Sequence, residues 1–243
     1  MRISYIAEST LQDLDKLKRE IDNSKNERIL KQHNQRYSAL EHEALNTSLY
    51  IECPEYTHSS RRRLDRDAKR LLRRLNTAWW YCTDNIDKDT LTPRDVEVIQ
   101  SIIVPEGKVG LRQHDVTIAV PHEVATPRYE DVQKLMAELF KETNELASTT
   151  HPVELAAYLH LHLLWIHPFS DGNGRSSRLV QNFLLHRAGY CPAIVRPHER
   201  WLYFWLLDEA KKGIIRNETS YQRPFYEFIA TKVHEGLEKV LSR

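Results

Sequence analysis

The sequence predicts a mainly α protein on three observations: only seven glycines in 243 residues, strand-like alternation confined to one short stretch, and apolar residues recurring at helical spacing along most of the chain. With 41% apolar residues the chain can fill one sizeable core. No repeat or low-complexity linker divides it.

Taken in order, the first forty-odd residues are charged and sparsely apolar. Leu11, Leu14, Lys18 and Ile21 trace a thin stripe, which predicts a helix on the surface or, in a homodimer, against a second subunit. Ser38 to Glu52 reads as further helix, halted at Cys53-Pro54. From about Ser59 to Tyr81, Leu64, Ala68, Leu71, Leu72, Leu75 and Trp79 share one helical face, while arginines and lysines between Arg61 and Arg74 fill the rest. That basic face reads as solvated.

Thr92 caps a helix that Pro93 opens and that runs through Ile102. Next, in VGLRQHDVTIAV, Val116, Ile118 and Val120 alternate and Gly110 allows a tight backbone, so a hairpin is expected here. Helices are expected at 129–147, 152–166, 174–187, 197–212 and 223–241, with Gly189 and Gly213 as left-handed stops.

A formal charge of +1 argues against a basic nucleic-acid binder and against an acidic tail. Cys53, Cys82 and Cys191 are odd in number and lack metal-type spacing, which suits a reducing cytosol. The opening residues are charged where a signal peptide needs an apolar run, and Leu159 to Ile166 is too short to span a bilayer. A cytoplasmic location and no membrane partner are therefore expected.

The chemistry concentrates where the apolar helix ELAAYLHLHLLWI runs into HPFSDGNGRSSR. Gly172, Asn173 and Gly174 permit a tight turn, and the next helix begins there, so its unpaired N–H groups and positive dipole end face the loop. Such a corner binds anions. Arg175 and Arg178, three residues apart, can both grip phosphate oxygens. Asp171, the loop's one carboxylate, should stay ionised among these cations and suits Mg²⁺ or Mn²⁺. His167 stands just upstream, able to take a proton from an incoming hydroxyl, a service worth roughly 10²–10⁴ in rate. His160 and His162 read as packing or capping residues, since no Cys or acid accompanies them at ligand spacing.

HPFSDGNGR followed by Ser176, Ser177 and Arg178 resembles the signature HPFx(D/E)GNGRxxR of the Fic family at every fixed position. The likeness extends to Asn182, to the turn Ala188-Gly189-Tyr190 and to Arg200 through Tyr203, covering roughly residues 92–240. It implies a Fic-type helical bundle with one β-hairpin flap: a catalytic core at 91–243 and an N-terminal helical region at 1–90. That region would hold an inhibitory helix near 38–53 and the basic helix near 59–81.

The resemblance implies transfer of AMP from ATP to a Tyr, Ser or Thr hydroxyl of a target protein. His167 would deprotonate that hydroxyl, and Asp171 would hold the metal ion between the α- and β-phosphates. Asn173 with the amides of Gly172 and Gly174 would cradle the diphosphate, while Arg175 and Arg178 would neutralise the leaving pyrophosphate. Phe169 would pin the loop to the core. The flap, with Gly110, Leu111, Arg112, Val116 and Ile118, would hold the target segment by adding a strand. Tyr203 or Phe204 would line the adenine site.

Ser48-Leu49-Tyr50-Ile51-Glu52-Cys53 resembles the family's inhibitory motif (S/T)xxxE(G/N), with Cys53 where Gly or Asn is usual. Glu52 ends its helix, where the dipole disfavours a carboxylate, so a compensating cation is expected, and Arg178 is the candidate. In some relatives that glutamate also helps remove AMP. Other departures are Cys191 in place of a proline, Ala119-Val120 after the flap strand, and extra loop from Ile214 to Gln222. Two alternatives remain in view: transfer of another phosphate-containing group by the same fold, and a non-catalytic nucleotide-sensing module. Nucleic-acid binding would rest on the Arg61–Arg74 helix alone and is disfavoured.

Overall fold

The computed structural model describes residues 4–24, 27–52, 66–84, 90–118 and 124–242, with Glu27, Glu52 and Val124 described by backbone only. Among these are α1 (Glu8–Asp22), α2 (Glu27–Glu52), α3 (Arg66–Asp84), α4 (Pro93–Ile103), α5 (Val132–Leu146), α6 (Pro152–Ile166), α7 (Asn173–Arg187), α8 (Arg200–Arg216) and α9 (Thr219–Leu241). Short 3-10 turns occupy Glu106–Lys108, Tyr129–Asp131 and Pro197–Glu199. A small antiparallel pair, β1 (Thr117–Ile118) with β2 (Val124–Ala125), sets Thr117 opposite Ala125.

The two most deeply buried helices lie at the centre. α6 and α7 pack on each other, with α5, α8 and α9 around α6, and α2, α3 and α4 around α7. α6 is buried along most of its length, including Val153, Ala156, Ala157, Leu159 and Leu161. Such a helix has no polar face and belongs inside a bundle. α1 and α2 join the same hydrophobic core as the later helices.

Local chemistry accounts for several ends. At α4 the Asp95 N–H donates to Thr92 Oγ1 at 3.4 Å and the Thr92 N–H donates to Asp95 Oδ2 at 2.9 Å, a reciprocal cap ahead of Pro93. Gly189, at φ 75°, is the left-handed stop anticipated for α7.

Several expectations are revised. α1 docks on α9 of its own chain, in line with the surface-helix alternative, with Leu14 fully buried. α3 begins at Arg66; residues 59–65 of the expected basic helix lie outside the described residues, and Lys69, Arg70 and Arg73 face solvent. Gly110 does not turn the hairpin. It adopts φ 96° ahead of Leu111, which bridges to Phe169, while the hairpin pairs residues further on. Gly213 sits inside α8, and Asn217 at φ 57° is the stop. A Cβ on Gly213 would meet the Glu218 carbonyl oxygen at 2.7 Å, so this glycine serves the close passage into α9. α9 starts at Thr219 and carries Pro224 within it, which removes most of the extra loop expected from Ile214 to Gln222.

An equally tight approach in the C-terminal region involves Gly236, where a Cβ would lie 2.7 Å from Cys191 Cβ. Gly236→Ala is expected to lower stability by roughly 1–3 kcal/mol despite its better helix propensity, because the contact is between inflexible groups. Urea unfolding checks this, and a midpoint at or above that of the parent contradicts it.

Candidate active site

α6 and α7 are joined by His167 through Gly172. His167 ends α6 in a left-handed conformation, φ 50° and ψ 58°, with its N–H donating to the Leu163 carbonyl at 2.9 Å. A non-glycine residue there is uncommon and persists where its surroundings impose it. Arg112 is the imposing group: it is buried, and its Nε donates to the His167 carbonyl at 2.9 Å while its N–H donates to the Pro168 carbonyl at 2.9 Å. Its remaining nitrogens reach the carbonyls of His114, Pro127 and Ile166. Arg112 thus braces the loop from beneath the flap. Arg112, expected as part of the target-holding flap, directs its side-chain donors into the fold.

Phe169 is buried as expected. Its N–H donates to Asn173 Oδ1 at 3.0 Å, and Asn173 Nδ2 donates to the Phe169 carbonyl at 2.7 Å. The Asn173 amide therefore closes the loop upon itself. Gly172, at φ 86°, has Val104 Cγ1 2.8 Å from where a Cβ would sit, so no other residue fits without displacement. The first intrahelical bond beyond it is Ser176 N–H to the Gly172 carbonyl at 2.9 Å, which leaves the amides of Asn173, Gly174 and Arg175 ahead of the helical ladder. With Asn173's side chain engaged, anion contact falls to these amides.

Asp171 pairs through Oδ1 with Arg175 Nη2 at 2.7 Å and through Oδ2 with Lys108 Nζ at 3.1 Å. Partial burial pushes its pKa up, but Arg175, Lys108 and the Gly172 N–H outweigh that and hold it below the usual carboxylate value. Gln100, fully buried, ties down the same loop: its Nε2 donates to the carbonyls of Asp171 at 3.1 Å and Lys108 at 2.8 Å, and its Oε1 accepts from the Gly110 N–H at 3.2 Å.

Arg178 is buried one turn into α7. Its Nε donates to Ser48 Oγ at 3.0 Å and its Nη2 to the Ser48 carbonyl at 3.1 Å. Nη1 lies 3.5 Å from the Tyr203 hydroxyl, which also bonds His160 Nε2 at 2.9 Å. Burial, with help from Arg178, pushes the His160 pKa down to about 3, so this histidine is a neutral link in the core, in line with the packing role expected for it. Arg200 Nε donates to the Ile51 carbonyl at 2.8 Å. Two guanidinium groups thereby meet the C-terminal end of α2, where cations are favoured. The Glu52 side chain and Cys53 lie outside the described residues.

These elements border a cleft of about 270 Å³ lined by His167, Gly174, Arg178, Tyr203, Phe204 and Ile118, with Ile51 and Arg200 at the α2 side. Ile118 belongs to the flap; Val116 accepts through its carbonyl from Thr126 Oγ1 at 2.6 Å. The cleft also holds Asp208 and Lys211, 3.9 Å apart and nearly inaccessible. Burial brings Lys211 down to about 8, against the pull of Asp208. Sequence reasoning missed this pair, together with Lys108, Gln100 and the bracing role of Arg112. For the pair a signal existed: 200, 204, 207, 208 and 211 fall on one helical face, so charges there stood where core residues would be expected.

Residues 90–185 match the model of the Fic/DOC family. The protein adenylyltransferase Fic of Drosophila persimilis is 46% identical over 98 residues, covering 40% of this chain and 18% of that protein, and the Drosophila melanogaster protein of the same name gives the same figures. The stretch shared with these relatives is thus under one fifth of their length. In overall fold the chain is similar to a Fic-domain signaling protein from Bacteroides thetaiotaomicron, with a TM-score of 0.76 at 18% identity over 96% of this chain and 97% of that one. It is also similar to Fic-1 (residues 134–508) of C. elegans, with a TM-score of 0.77 at 19% identity over 96% of this chain and 71% of that one. The left-handed histidine, the glycine corner and the arginines of α7 all fall within the segment that matches the Fic/DOC family model.

Proposed function

We infer that this chain is a protein adenylyltransferase that moves AMP from ATP to a hydroxyl of a target protein and is restrained by its own helix α2. The observation that carries the reading is the convergence of His167, Gly174, Arg178 and Tyr203 on one cleft at the amide-bearing end of α7. The relatives named protein adenylyltransferase, and a Fic structure described as bound to adenylylated Cdc42, with a TM-score of 0.55 at 18% identity, support the choice of group.

In this mechanism the free amides of α7 and Arg175 grip the phosphates, while the cleft beside Tyr203 and Phe204 takes the base. The flap holds the target segment by strand addition along β1, with Val116 and Ile118 setting its register and Gly110 and Leu111 anchoring the flap to the loop at Phe169. The target oxygen then attacks the α-phosphorus in line, and an O–P bond forms as the bond to the β-phosphate oxygen breaks. The hydroxyl proton passes to the His167 imidazole, and pyrophosphate leaves. Asp171 suits a divalent cation, being partly exposed, ionised and a hard oxygen donor; it would hold Mg²⁺ or Mn²⁺ with Lys108 giving up Oδ2. When bound, that ion offsets phosphate charge.

The restraint acts through Arg178. Ser48 holds two of its nitrogens, and Glu52, one turn on, would complete the grip and draw the guanidinium off the γ-phosphate. The same glutamate could serve AMP removal.

His167→Ala is expected to lower transfer of label from α-labelled ATP by roughly 10²–10⁴-fold while leaving nucleotide affinity within a few-fold. Label appearing only from γ-labelled ATP would instead assign phosphate transfer, and no label even with Glu52→Gly would leave a nucleotide sensor. Glu52→Gly and Ser48→Ala are each expected to raise auto-labelling, Ser48→Ala by about tenfold, the worth of one hydrogen bond to a charged group. Labelling equal to the parent in both variants discards the restraint.

A further inference from the structure

On the side of α6 away from the loop, α5, α6, α9 and the N-terminal segment border a second cavity of about 170 Å³. Its contents are unusual. Glu154 is 7% exposed, yet it receives only neutral donors: the Tyr5 N–H and the Ser4 hydroxyl at 3.2 Å, both on Oε1. Oε2 has Ser4 Oγ alone, at 3.5 Å. Glu142, at the rim, accepts from the Tyr158 hydroxyl at 2.7 Å. Neither carboxylate meets a cation among the described residues. A buried carboxylate is costly unless it is paired.

Three rings complete the wall. Tyr5 stacks on Tyr226 with centroids 4.2 Å apart, and Tyr158 stands beside them. Tyr226 is fully buried, and its hydroxyl, like Thr150 Oγ1, has no hydrogen-bond partner among the described residues. Burial pushes the Tyr5 and Tyr226 phenols up, with Glu154 and Glu142 adding to it at Tyr5 and the neighbouring Tyr5 and Tyr158, then the two glutamates, adding to it at Tyr226. Aromatic faces, two carboxylates and hydroxyls able to accept make a chamber complementary to an organic cation: ring faces attract ammonium groups, and the oxygens take their N–H bonds. No group of three metal-type ligands occurs among the described residues, so an organic cation suits it better than a metal ion.

We propose that this cavity binds a small alkyl diamine, with one ammonium on Glu154 beneath the tyrosines and the other at Glu142. The volume admits about six water-sized groups, the size of butane-1,4-diamine, and Leu146 and Leu155 in the wall suit its methylenes. The site is separate from the cleft, so its occupancy does not depend on the transferase reading.

Calorimetric titration of the full chain with butane-1,4-diammonium chloride tests it. Saturable one-site binding is expected, weakening as salt rises, with no binding of butane-1,4-diol. Glu154→Gln should weaken binding by about tenfold or more through loss of a charged acceptor. Glu142→Gln, at the exposed rim where folding is not at stake, should weaken it severalfold. Absence of saturable heat, equal affinity for the diol, or affinity unchanged in Glu142→Gln overturns the proposal. Displacement of the diamine by Mg²⁺ at comparable concentration overturns it in favour of a metal site. Tighter binding of N-acetyl-lysine methylamide overturns it in favour of a protein lysine as occupant.

Discussion

The corner between α6 and α7 is the constraint around which the rest is arranged. Two helices buried on nearly all sides must be joined by six residues, His167 to Gly172, and every polar backbone group in that link needs a partner or an opening to the cleft. Arg112 takes the carbonyls from below, Asn173 closes the Phe169 peptide, and Gln100 takes those on the Asp171 side. What stays open is the row of amides at the start of α7. The proposed anion site is thus what a nearly complete hydrogen-bond inventory leaves open, framed by three buried side chains.

The same logic sets the electrostatics. Arginines cluster near the start of α7, where a helix dipole opposes them, and each is offset differently. Arg175 faces Asp171, whose other oxygen meets Lys108. Arg178 turns the other way, toward Ser48 of α2. One helix therefore presents two cations to two different elements, one within the loop and one from the N-terminal region. This geometry ties Arg178, a buried side chain of the cleft, to α2 through directional bonds to Ser48.

Burial of charge recurs away from the corner. Asp208 with Lys211 in the cleft, and Glu154 with its tyrosines behind α6, are ionisable groups that an apolar core would exclude. The first pair is mutually compensated. Glu154 has neutral donors alone among the described residues, the difference on which the proposed diamine site rests.

The sequence by itself determined the helical class, the caps at Thr92 and Gly189, and the corner from His167 to Arg178, because these rest on neighbours within a few positions: periodicity, a capping side chain, a glycine with positive φ. It also placed Ser48 in a motif facing the α7 arginines, through its resemblance to a family pattern. Tertiary structure alone decided what Arg112, Gln100 and Lys108 do, since each acts on backbone or carboxylate groups of the loop 55 to 71 positions away. Tertiary structure likewise set Gly213 inside α8 rather than at its end, where proximity to Glu218 and α9 overrode the usual habit of glycine. Local energies are written in adjacent residues, whereas the partner of a long polar side chain is chosen by packing, and packing is a property of the whole chain.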